Sequence, residues 1–116
     1  MLPFEDLIAY NKSLELVDKI YNLTHKWPRM ELFGLTDQAR RAATSIALNI
    51  AEGSSRTKKD FRHFLDMARG SCYELIAILQ IAKNRNYLLN TEYKNDYNLI
   101  SIVIKIINGL KKSLKS

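Results

Sequence analysis

A chain of 116 residues suits a single domain, and 47% hydrophobic with 26% charged residues is a globular composition that excludes a disordered chain. Its one cysteine, Cys72, excludes an intramolecular disulfide and a cysteine-rich zinc site. Four glycines and two prolines are too few turn residues for an all-β chain, and the net charge of +6 points to an anionic partner.

In chain order, Met1-Leu2-Pro3-Phe4-Glu5-Asp6 has neither the positive start nor the apolar run of a secretion signal, so a cytoplasmic protein is expected. A first helix is predicted over about 4–26, with Leu7, Tyr10, Leu14, Val17 and Tyr21 as its seam. Trp27-Pro28 ends it, because the residue before proline is driven out of the helical region. A second helix, 36–52, runs Ala39, Ala43, Ile46, Ile50, with Thr36 or Asp37 as cap and Gly53 in the left-handed position past its end. The third, 58–84, is the longest: Phe61, Leu65, Ala68, Cys72, Leu75, Leu79, Ala82. Thr57 with Asp60 resembles a capping box at its start, and Asn84-Arg85-Asn86 closes it. The fourth, 92–114, has Thr91 as its cap and carries Tyr93, Tyr97, Ile100, Ile104 and Ile107. Steps of three and four put each set on one stripe and favour shallow-angle packing. Four such stripes make residues 1–116 one all-α domain, a four-helix bundle.

The fourth helix has a second seam, Leu99, Val103, Ile106 and Leu110, beside the first. Together they cover more than half of its circumference, and a surface helix of a monomer needs less. These four residues are therefore the expected interface with another copy. The apolar run Leu99–Leu110 is too short to span a bilayer and holds Lys105, so no membrane role is expected.

The most distinctive stretch is Arg40-Arg41-Ala42-Ala43-Thr44-Ser45-Ile46-Ala47-Leu48-Asn49-Ile50-Ala51-Glu52-Gly53, followed by Arg56, Phe61, Phe64-Leu65 and Ala68-Arg69-Gly70-Ser71-Cys72-Tyr73-Glu74-Leu75. With Phe4-Glu5-Asp6-Leu7 at the start, it resembles the bacterial four-helix-bundle family encoded by intervening sequences within 23S ribosomal RNA genes. The resemblance spans nearly the whole chain and is weakest after Asn90. It implies an antiparallel up-and-down bundle that assembles as a homopentamer. A related branch contains the accessory protein of diversity-generating retroelements, a basic pentameric barrel thought to bind nucleic acid and a reverse transcriptase. The family's name reflects gene position and implies no activity.

Catalytic chemistry finds little footing. His25 and His63 lie on different helices without metal-ligand spacing, and Cys72 falls in an apolar seam, where a thiol is inert. Glu52 and Glu74 lack the Glu-x-x-His spacing of carboxylate metal bundles and are expected to pair with arginines. Neither an enzyme nor a cofactor or metal is expected.

The cations are more informative. Residues 1–37 hold four Lys/Arg against six Asp/Glu, whereas 38–71 and 72–116 each hold seven against three. Arg40 and Arg41 begin the second helix; Arg56, Lys58 and Lys59 fill the turn into the third; Arg62 and Arg69 follow seven residues apart on one face, which Tyr73 continues. These seven cations are the candidate phosphate-contacting surface, with Lys105, Lys111, Lys112 and Lys115 as a second patch. They serve the fold alone if Asp37, Glu52 or Glu74 neutralises them. The expectation is a non-enzymatic, self-associating bundle that binds RNA through its phosphates. A protein-docking scaffold, prompted by Leu48 on the outer face of the second helix, is the alternative.

Overall fold

In the computed structural model, which describes residues 2–115, four helices occupy nearly the whole chain: α1 (Ile8–Thr24), α2 (Leu35–Gly53), α3 (Lys58–Asn84) and α4 (Asn90–Ser113). Short 3-10 stretches, Pro3–Asp6 and Arg29–Glu31, precede α1 and α2. There is no strand among the described residues. The body measures 46 × 23 × 22 Å, and its long axis suits α3, whose 27 residues rise about 40 Å. Helix α1 packs on α2 and α4, and α3 packs on the same two, while the backbones of the diagonal pairs stay apart across the shared core. Among the described residues no helix is long and apolar enough to cross a membrane.

The helix ends differ from expectation in four places. Proline at position 3 starts a 3-10 turn rather than α1. The chain then extends at Leu7 (ψ 129°), and α1 begins only at Ile8. Asn11 fixes this corner by donating its amide to the Glu5 and Leu7 carbonyls. At α2 neither Thr36 nor Asp37 caps. The helix begins at Leu35 after Gly34, and the Glu31 carboxylate accepts the Leu35 N–H. Gly53 is the last helical residue, with ordinary negative φ. Its value is space: a Cβ there would lie 2.6 Å from the Phe64 Cβ and 2.9 Å from the Phe61 ring. Finally, α4 begins at Asn90, before Thr91, and Glu92 accepts the Leu89 N–H at 2.8 Å. The start of α3 is as expected, with Thr57 Oγ1 accepting the Asp60 N–H at 3.2 Å. Its end is a left-handed Asn86 (φ 63°), whose N–H donates to the Lys83 carbonyl while those of Arg85 and Tyr87 donate to the Ala82 carbonyl.

The core confirms two seams and rotates two. Every expected apolar position of α2 and α3 is buried. On α1 the buried line is Ala9, Ser13, Leu16, Ile20 and Leu23, one residue ahead of the expected one, while Leu14 and Tyr21 are 40% and 43% exposed. Ser13 disguised that line; its hydroxyl donates to the Ala9 carbonyl at 2.6 Å, which lets it sit in the core. On α4 the buried arc lies between the two seams: Leu99, Ile100, Val103 and Ile107. Leu99 and Val103, expected to meet another copy, are thus spent on the subunit's own core. A helix flanked by two neighbours needs that wider arc. Ile106 and Leu110 stay half-buried and line an apolar groove of about 340 Å³ with Leu7, Ile8 and Gly109.

Candidate nucleic-acid interface

The turn after Gly53 delivers Arg56, Lys58 and Lys59 to the end of the bundle where α4 finishes. Arg62, in the second turn of α3, donates from Nη1 to the Leu114 carbonyl at 3.2 Å. Two turns on, Arg69 donates to Asn108 Oδ1 at 2.8 Å and pairs with Asp66 at 3.3 Å. Asp66 also holds Lys111. With Lys112 and Lys115, these side chains line a groove of about 250 Å³ between α3 and α4. Hydrogen bonding from Lys111, aided by Arg69 and His63, holds the Asp66 carboxyl below its usual range. Asp66 therefore stays ionised and braces two cations, while Arg62, Lys112 and Lys115 have no acidic partner among the described residues.

The seven candidate cations divide four ways. Arg62 and Arg69 line the groove. Lys58 and Lys59 are exposed on the preceding turn, without an acidic partner among the described residues. Arg56 is near them but neutralised, pairing with Glu52 at 3.0 Å and lying over the Phe64 ring at 5.4 Å. Arg40 and Arg41 stand at the other end of the molecule, beside the close of α1, and do not join the groove. Arg40 donates to Thr24 Oγ1 at 3.0 Å over the Tyr21 ring, and Arg41 pairs with Asp37 at 2.7 Å. The two patches read separately from the sequence become one, because α4 ends against the start of α3. Lys105 is exposed away from the groove. Tyr73 is exposed one turn beyond Arg69 and does not line it either.

Other reactive groups are inert or scattered. Burial pushes the Cys72 thiol up to about 12, far from a nucleophilic thiolate. Among the described residues no three of His, Cys, Asp or Glu converge to hold a metal. Glu52 pairs with an arginine as expected, but Glu74 is exposed and pairs with none among the described residues.

The family model described as 23S rRNA-intervening sequence protein matches residues 5–109. A crystal structure from Bacteroides thetaiotaomicron, of a protein of unknown function from the S23 ribosomal protein family, superposes with a TM-score of 0.83 at 25% identity. The match covers 90% of this chain and 99% of that one. No curated protein matches the chain.

Proposed function

This chain belongs to the 23S rRNA-intervening sequence protein family, and from that premise we propose that it is a non-enzymatic RNA-binding bundle that holds phosphates in the α3–α4 groove. The observation that carries this reading is the lining itself: Arg62, Arg69, Lys111, Lys112 and Lys115, with Asp66 as the one adjoining carboxylate. The arginines seven residues apart sit about 10 Å apart along α3, so they serve different phosphates. No aromatic ring lines the groove, which favours backbone contact over base stacking.

The bundle is read as antiparallel and up-and-down. Arg62 at the start of α3 meets Leu114 beyond the end of α4, and Gln80 late in α3 meets Tyr93 early in α4. Copies associate through the half-exposed Ile106 and Leu110, as a homopentamer by the family resemblance, in the cytoplasm. A ring repeats the groove and multiplies a modest single-site affinity through effective concentration.

Binding of a structured RNA hairpin should weaken steeply with salt. Changing Lys59, Arg62 and Lys112 to glutamate should abolish it while the helical circular dichroism stays intact. Binding that survives both the salt and the substitutions rejects the reading. A protein-docking scaffold has its own support in the 93% exposed Phe33 and the 66% exposed Leu48. It predicts that Phe33→Ser and Leu48→Ser abolish capture of a partner protein without touching RNA affinity.

A further inference from the structure

At the opposite end from the basic groove, between the last turns of α1 and the first turns of α4, lies a second polar pocket of about 240 Å³. Its lining includes Lys19, Asn22 and Lys26 from α1 and Glu92, Asn95 and Asp96 from α4. Asp96 is only 6% exposed, and among the described residues it has no hydrogen-bond or ion-pair partner, feeling Lys19 only as a nearby charge. Its oxygens open onto the pocket rather than being sealed in the core, and a carboxylate largely withdrawn from bulk water with no protein donor is one that a ligand's donor can stabilise. Lys19, Asn22 and Asn95 likewise make no side-chain hydrogen bond or ion pair with another described residue. Lys26 and Glu92, by contrast, are committed to each other at 2.7 Å and close one side of the pocket. The open groups are thus one acceptor of negative charge, one cation and two amides.

From this set we propose that the pocket binds a small zwitterion with an ammonium and a carboxylate close together, the class of free α-amino acids. The ligand's ammonium donates to Asp96, its carboxylate accepts from Lys19, and the Asn22 and Asn95 amides bond what remains. A simple amine leaves Lys19 unanswered and is repelled by Lys19 and Lys26. A simple carboxylate leaves Asp96 unpaired and is repelled by Asp96 and Glu92. Burial pushes Asp96 up to about 6, Lys19 opposing and Glu92 adding to the rise, so the site holds its acceptor charge above that pH and loses it below. Nothing in this site depends on RNA binding at the far groove.

The test is titration of the isotope-labelled full chain at pH 7.5 with glycine, L-serine, ethylammonium, acetate and glycine betaine, followed by amide chemical shifts. Glycine and L-serine should shift resonances of residues 19–26 and 92–96. The other three should bind at least about tenfold more weakly, since each lacks one charge or the N–H donors. Asp96→Asn should remove the glycine response while the chain stays folded, and so should lowering the pH of the native chain to 5. An unshifted spectrum with both amino acids overturns the proposal. So does an equal response in the Asp96→Asn chain, or betaine binding as well as glycine.

Discussion

Asp96 shows how one side chain couples burial to acidity. Its carboxyl rises from 3.8 to about 6 chiefly through desolvation. A raised folded value means that the native state holds the proton more tightly than the unfolded chain does. The resulting stability is full below pH 3.8 and lost as the pH climbs through about 6. Two units correspond to a loss on the order of 2–3 kcal/mol. Asp96→Asn should therefore raise the melting temperature at pH 8 and flatten its pH dependence between 4 and 7. A melting temperature unchanged at pH 8 would mean that Asp96 carries no such penalty. Nothing in the sequence around 96 announces a buried acid. Tyr97 next to it occupies the expected seam, and only the docking of α1 onto α4 turns Asp96 inward.

At the scale of the helix, the α2–α3 contact is the most closely fitted. Small residues Ala39, Ala42, Ala43 and Ala47 on α2 and Ala68 on α3 are buried, and Gly53 ends α2 against Phe61 and Phe64. Gly53→Ala gains up to about 1 kcal/mol of helix propensity but drives a methyl into the Phe64 Cβ and the Phe61 ring. Overpacking of that kind costs about 1–3 kcal/mol, so urea unfolding should show a net destabilisation. The seams of α2 and α3 were readable because their inward positions are almost purely apolar. Those of α1 and α4 were not, because a serine hid in one, and in the other two apolar lines competed.

Across the whole molecule, charge and greasiness separate onto different places. Cations gather where α3 begins and α4 ends, while Ile8, Ile106 and Leu110 make an apolar groove between α1 and α4. If copies associate through this groove as proposed, replacing both Ile106 and Leu110 by glutamate should lower the scattering mass from a multiple of 13.4 kDa to a single copy that keeps its helicity. Val103→Asp, by contrast, should unfold the subunit, since Val103 is wholly buried and an unpaired charge there has no partner. A pair of variants that both merely dissociate the protein would move the interface back onto the seam the sequence suggested.

Local chemistry determined much of this protein from the sequence alone. Apolar residues at steps of three and four prescribe four helices wherever they fold, Thr57 caps α3 by its own hydroxyl, and Arg56 reaches Glu52 one turn back. Those interactions span a few residues of one chain segment, so their geometry follows from the local backbone. Which cations share a groove, which of two seams faces inward and whether Gly53 answers a turn or a neighbouring ring depend on residues far apart along the chain. The pairing of Arg69 with Asn108 and of Lys111 with Asp66 exists only once α4 lies against α3, and that packing, not spacing, decided where the charge converges.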